Sequence, residues 1–267
     1  FTATLSLIGS VVITAKVLRS PVKRASVHHR ILLGMSLYDI LQSVVLFLGV
    51  WPIPKDVPIL GASGNTATCT AQGFFMIIGH AVPLYNCFLA IHYVLKVRYR
   101  FLERDIRRIE WPMHFVIFVF VTSGGVTAIA TNSINPAELW CYIASIPINC
   151  QRSEEECIKG RHSTLLRSLY AYSAGFLTII IVTAAMIALY KTVKDVETNA
   201  AKYSGRRLKN DRENFRKTRQ VVYQAFFYLI SFYAAYIPSL TYRLIESATG
   251  DSNNILRHVA VLTYPSQ

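Results

Sequence analysis

One carboxylate stands where a carboxylate is costly. Asp39 lies inside an apolar run, Ile31–Val50. An ionised side chain at bilayer depth costs about 2.5–3.5 kcal/mol, so it is expected to face other helices and hydrogen-bond there. Asn86, in the run Ala71–Leu95, falls at nearly the same depth if each residue rises about 1.5 Å along a helix. Ser10 and Tyr228 fall close to that depth in two further runs. The four predict a polar layer in the inner half of a helical bundle. Two chemistries are open to it. One is a switch whose hydrogen bonds rearrange, with room for a bound cation. The other is a static set of interhelical hydrogen bonds, worth about 0.6–2 kcal/mol each.

A second group could form a small-molecule site. Gln72, Met76, His80, Pro83, Asn86 and Ala90 recur at spacings that put them on one helical face. The upper part of that face, from Gln72 to His80, is expected to line an outward-opening cavity. One neighbouring run contributes Tyr170 and Ser173; from another, Tyr233, Tyr236, Ser239 and Tyr242 come to comparable depth, though not all on one face, and Arg243 lies at the rim. Such a site needs apolar walls with a few converging polar groups. For any single tyrosine the plainer reading is the aromatic belt of a membrane protein. Pro238 removes a backbone donor inside its run and predicts a kink, a candidate hinge.

Four of the five cysteines lie outside the apolar runs. Cys69 opens the run that carries the stripe, and Cys141, Cys150 and Cys157 share one long polar stretch. If that side is the oxidising one, disulfides are expected. A Cys69–Cys141 bond would pin the stretch to the helix, leaving Cys150 and Cys157 to close a small loop. Free thiols or other pairings remain open. No His/Cys spacing matches a zinc site.

The elements that must position these residues are apolar and long. Phe1–Leu18, Ile31–Val50, Ala71–Leu95, Met113–Thr131, Leu165–Tyr190 and Val221–Leu244 carry almost no charge, and another run begins near Ile255. About 20 apolar residues cross a bilayer core of about 30 Å. The fold expected is all-α, a seven-transmembrane helix bundle in one domain over residues 1–267, with the seventh helix cut short. Phe1 and Gln267 both fall inside apolar runs, so both ends read as internal to a longer protein.

Charge gives the expected orientation. The net charge is +13, and most of the 28 basic residues follow the first, third and fifth runs. They include Lys23, Arg24, Lys96, Arg98, Arg100, Arg104, Arg107, Arg206, Arg216, Lys217 and Arg219. Basic residues accumulate in cytoplasmic loops, which places the N-terminus outside and these stretches inside. That topology accounts for the charge, so a nucleic-acid partner is not expected. The lipid bilayer is. No paired-carboxylate motif, nucleophile elbow, phosphate loop or HExxH is present. Neither enzymatic activity nor a cofactor is expected.

Several short motifs resemble one family. Cys69 opens a run in ATCTAQGFF, and Trp140-Cys141-Tyr142 is similar to a Cys-aromatic pair in an outer loop. Asn86, Leu89, Ala90 and Tyr93 lie in NCFLAIHY, and Glu110, Met113 and His114 in IEWPMHF. Tyr264-Pro265-Ser266-Gln267 is similar to the start of a seventh-helix signature. Together these resemble the seven-helix G protein-coupled receptors, within them the cyclic AMP receptor-like branch, related to secretin and adhesion receptors. His92-Tyr93-Val94 stands where rhodopsin-like receptors carry Asp-Arg-Tyr, and the sixth run lacks their Cys-Trp-x-Pro.

The resemblance implies a plasma-membrane receptor that passes an extracellular signal to a heterotrimeric G protein. An unidentified ligand would act on the outer cavity. Lys96, Arg98 and Arg100, with Arg216, Lys217 and Arg219, would border the G protein opening. A transporter or channel would instead show broken helices and an inverted repeat. A retinal protein would need a Schiff-base lysine in the seventh segment.

Overall fold

The computed structural model describes residues 2–137, 139–147, 150 and 156–202, and positions 223, 226, 230, 233, 234, 237 and 241. The expected seventh segment lies outside these residues. Of the sixth, the described positions are all helical.

The described chain is mostly helical. α1 spans Thr2–Leu18, a short α2 Pro21–Ala25 and α3 Val27–Leu48. α4 spans Thr66–Ile78, α5 Ala81–Val97 and α6 Glu103–Ala130. A two-stranded hairpin follows, β1 Ile134–Ala137 and β2 Trp140–Ile143. α7, Ser163–Leu166, runs through a π-helical stretch, Arg167–Tyr172, into α8, Ser173–Lys202.

Four of the resulting helices are long and apolar enough to cross a membrane: Val27–Leu48, Thr66–Val97, Glu103–Ala130 and Ser163–Thr192. The way they bury their surface agrees. On α6 one stripe is buried, through Ile106, Met113, Ile117, Val121, Gly124 and Ala128. From Phe115 onward other residues of that helix are apolar yet exposed, including Phe115, Phe118, Val119 and Val126. A water-soluble helix would carry polar residues there. An apolar face turned outward suits lipid, where helices satisfy every backbone group internally. The chain is a membrane protein.

α5 runs through the middle. It packs on α3, α6 and α8, while α1 packs on α3 and α4 on α6. The central core holds Ile31, Met35, Tyr85, Leu89, Met113, Ile117, Val121 and Leu189. Two close approaches depend on missing side chains. A Cβ on Gly34 would stand 2.9 Å from the Tyr85 ring, and one on Gly124 would stand 2.7 Å from that of Tyr170.

The structure adds detail to three expectations. The helix that holds the run Met113–Thr131 begins earlier, at Glu103. Its first turn holds Glu103 and Asp105, whose charge favours a helix N-terminus, and Ile106 is buried. The polar stretch Asn132–Thr164 contains the hairpin, so the described fold is not purely helical. Finally, the span Thr66–Val97, which contains the run Ala71–Leu95, is interrupted by a turn between α4 and α5. Pro83 has no N–H to offer the Gly79 carbonyl, which takes the Val82 N–H at 3.0 Å instead, and the helix breaks at Gly79-His80.

Candidate functional site

At one end of the bundle the hairpin lies on α4. Both expected disulfides are present, Cys69–Cys141 and Cys150–Cys157, and Cys87 is free and buried. The strands pair Pro136 with Cys141. Proline has no N–H to give, and the Cys141 N–H points away to Gln72 Oε1 at 2.8 Å. The other half of the same amide donates to the Gly49 carbonyl at 2.7 Å. One side chain thus joins the end of α3, the first turns of α4 and the hairpin. α4 itself starts with a reciprocal cap between Asn65 and Thr68, whose hydroxyl also donates to the Pro52 carbonyl at 2.8 Å.

Below that clamp lies the helix break. His80 Nδ1 sits 2.9 Å from the Ile77 carbonyl, which can only accept, so Nδ1 carries a proton. In the neutral ring Nε2 then accepts the Tyr142 hydroxyl, 3.0 Å away. The two rings stack with centroids 5.9 Å apart. Across the bundle, Arg167 Nη2 donates to the Ile143 carbonyl at 2.5 Å. Tyr170 accepts from Ser123 at 3.5 Å and packs on Phe120.

The expected stripe is therefore divided. Gln72 and Met76 are buried, and Gln72 is bonded to the hairpin strand at the Cys141 N–H. His80 meets that hairpin through Tyr142. Tyr170 faces α6, while Ser173 is exposed and its hydroxyl turns back to the Leu169 carbonyl. Tyr236, Ser239, Arg243 and Pro238 lie outside the described residues. A groove of about 560 Å³ opens beside the clamp between α3 and α4, walled by Leu41, Val44, Leu48, Trp51 and Phe75. Of the stripe, Gln72 alone reaches it.

The polar layer is present in part. Ser10 donates to Asp39 Oδ2 at 2.5 Å, and Ser6, one turn earlier, donates to the same oxygen at 2.7 Å. Ser6 was visible in sequence as the residue one helical turn from Ser10. Asn86 does not join them by any described hydrogen bond; it donates to the Val82 carbonyl at 3.3 Å, within α5. Tyr228 lies outside the described residues.

The opposite end is basic. Glu110 receives Arg30 through two parallel bonds, Nε to Oε1 at 2.5 Å and Nη2 to Oε2 at 2.6 Å. Arg30 Nη1 donates further to the Arg24 and Ala25 carbonyls, both at 2.9 Å. His114 lies 3.8 Å from Glu110 and its other ring nitrogen bonds the Tyr85 hydroxyl at 2.7 Å. Glu103 caps α3 by accepting the Val27 N–H at 2.8 Å. The network therefore runs through α3, α5 and α6. Residues as far apart in sequence as Arg30 and Glu110 gave no spacing signal for it. His28, His92 and Tyr93 cluster nearby, the two imidazoles stacked at 5.8 Å. Lys96, Arg98 and Arg100 stand exposed at the end of α5, and Arg98 donates to Thr192 of α8 at 3.3 Å. Arg216, Lys217 and Arg219 lie outside the described residues.

Comparison with models of known protein families and with curated proteins gives no match.

Proposed function

We propose that this protein is a seven-helix G protein-coupled receptor of the plasma membrane, with its N-terminus outside. On this reading the hairpin end receives an extracellular ligand and the basic end engages a heterotrimeric G protein. The observation that carries the reading is the contrast between the ends. At one, a disulfide and the Gln72 amide fix a hairpin over the bundle. Disulfides belong on the oxidising side. At the other, Lys96, Arg98 and Arg100 are exposed where a cytoplasmic partner would dock. The likeness of Cys69, Trp140-Cys141-Tyr142, Asn86 and Glu110 to cyclic AMP receptor-like proteins points the same way.

Tyr233 adds support for a sixth helix against α8, since its hydroxyl hydrogen-bonds Thr183. In a receptor of this kind the sixth helix would move outward on activation, about a hinge at Pro238.

The test is nucleotide exchange. The intact protein in nanodiscs is mixed with purified G protein heterotrimers, and GTPγS uptake is followed with and without cyclic AMP as probe. Uptake above that of empty nanodiscs is expected for at least one Gα class. Absence of uptake for every Gα class would overturn the proposal.

One observation favours a second reading. The break at Gly79-His80 interrupts a membrane helix, as in transporters, where broken helices line substrate paths. Ion flux through proteoliposomes holding the protein, without G protein exchange, would select it.

A further inference from the structure

At the basic end a groove of about 610 Å³ opens between α3 and α6. Arg30, Leu33, Leu37, Arg107, Glu110 and Trp111 line it. The groove combines three features that one kind of ligand would use together.

The first is an available cation. Arg30 is fully engaged with Glu110 and with two carbonyls at the end of α2. Arg107 is not. Its Nη2 donates to the Ala25 carbonyl at 3.1 Å, which fixes the guanidinium at the mouth, and its other donors have no acceptor among the described residues. No carboxylate among the described residues lies in ion-pair range of Arg107, Arg108, Lys23 or Arg24. The nearby acids are otherwise engaged: Glu110 with Arg30, Glu103 with the Val27 N–H, and Asp105 beside Arg104 at 3.9 Å. The mouth is therefore positively charged.

The second feature is Trp111. It is 76% exposed although it is large and apolar. An indole in that position suits the headgroup level of a membrane, where one edge is wet and the other meets hydrocarbon. The third is the apolar wall. Leu37 is exposed along the outer face of α3 above the charged mouth, and Leu33 lies between them in sequence. An anion alone would have no use for Trp111 and Leu37. A hydrocarbon alone would have no use for Arg107.

We propose that this groove binds an anionic phospholipid of the adjacent leaflet. Its phosphate sits at Arg107, its glycerol region lies against Trp111, and an acyl chain follows Leu33 and Leu37. The Arg30–Glu110 pair braces the groove and neutralises its own charge there, so discrimination falls to Arg107. The site needs a bilayer; that its leaflet is the cytoplasmic one rests on the orientation proposed above.

The experiment uses the intact protein in nanodiscs of phosphatidylcholine containing a minor fraction of phosphatidylserine. Retained lipid is counted by native mass spectrometry for the wild type, Arg107→Gln, Arg107→Lys and Trp111→Leu. One basic residue near a membrane surface contributes about 1 kcal/mol to binding an anionic lipid, so Arg107→Gln is expected to lower phosphatidylserine retention about fivefold. Arg107→Lys should keep most of it, and Trp111→Leu should lose retention of both lipids. Thermal unfolding, read by reaction of the buried Cys87 thiol, shows that each variant is folded. Unchanged phosphatidylserine retention in folded Arg107→Gln would overturn the site. So would competition by inorganic phosphate or glycerol 3-phosphate as strong as that by the lipid. Orientation is read separately, by labelling Arg108→Cys in intact cells with an impermeant maleimide. Labelling from outside, with lipid retention intact, would remove the receptor orientation and leave the lipid site standing.

Discussion

Ser10 donates its hydroxyl to Asp39 Oδ2 at 2.5 Å, which ties α1 to α3 through a buried carboxylate. Ser6 shares the same acceptor. A side chain that can still accept two hydroxyls should preserve this joint. Asp39→Asn keeps an oxygen acceptor and is expected to lose at most about 1 kcal/mol of stability. Asp39→Leu leaves two hydroxyls facing hydrocarbon, and the loss should reach about 2–3 kcal/mol. Thermal unfolding in detergent, followed by the reactivity of Cys87, measures both. If the layer acts as a switch, Asp39→Asn alters G protein exchange while its unfolding stays near that of the wild type. If it is static, exchange and unfolding move together.

The hairpin should unfold as a unit with the helix it covers. Gln72 and the Cys69–Cys141 bond hold the same strand, one through the Cys141 N–H and the other through its sulfur. Gln72→Leu strands the Cys141 N–H and the Gly49 carbonyl, for an expected loss of about 2–4 kcal/mol. Removal of the disulfide by Cys69→Ser with Cys141→Ser is expected to cost about 2–4 kcal/mol. The combined variant should lose less than the sum, by about 1 kcal/mol or more, because a released hairpin no longer holds its N–H against Gln72. Strict additivity in the unfolding measurement would show that the two act on separate structures.

Much of this was legible in the residues and part was not, for physical reasons. Apolar runs mark membrane helices because length and charge exclusion are properties of one segment. The cysteines outside those runs marked the clamp for a similar reason, since few partners were available. Asp39 and Ser10 met because both sit at a depth that counting along a helix can find. The helical start at Glu103 was hidden, since the charged residues before Met113 carry no apolar run, and only packing shows Ile106 buried in the central core. The break at Gly79-His80 has its cause at Pro83, inside a run whose hydropathy shows nothing unusual. Gln72 was legible as one member of a polar helical face. Its bonds to Cys141 and Gly49 were not, because a hairpin in a polar loop gives no periodic signal strong enough to place it over a helix. Arg30 and Glu110 meet through tertiary packing alone.

That ion pair offers a charge-reversal test. The Glu110 side chain is 10% exposed and that of Arg30 27% exposed, so water screens the pair only in part. Arg30→Ala leaves Glu110 without its bidentate partner and beside His114. The expected loss is about 2–3 kcal/mol, below the 3–5 kcal/mol typical of a fully buried pair. Glu110→Arg alone should be at least as damaging, since two guanidinium groups would then face each other. Arg30→Glu combined with Glu110→Arg should recover part of the loss, which a stability measurement on the three variants would register. A double reversal no better than the worse single variant would mean that the α2 carbonyls of Arg24 and Ala25, and not the ion pair, hold α3 in place.

Gly34 controls how closely α3 and α5 can meet. A methyl group there would lie 2.9 Å from three atoms of Tyr85, including its hydroxyl oxygen. Tyr85 is 2% exposed and hydrogen-bonded to His114, so it has little room to move aside. Gly34→Ala is therefore expected to destabilise the protein by about 1–3 kcal/mol, as overpacking does elsewhere. Intrinsic propensity alone would predict the opposite sign, since alanine favours a helix over glycine by about 1 kcal/mol. Tyr85→Leu should remove the clash and, with it, the bond to His114. In that background Gly34→Ala should cost far less, or become stabilising. Unfolding of the two single variants and the double variant decides the matter: an equal penalty for Gly34→Ala with and without Tyr85 would mean that the ring is not what the glycine admits.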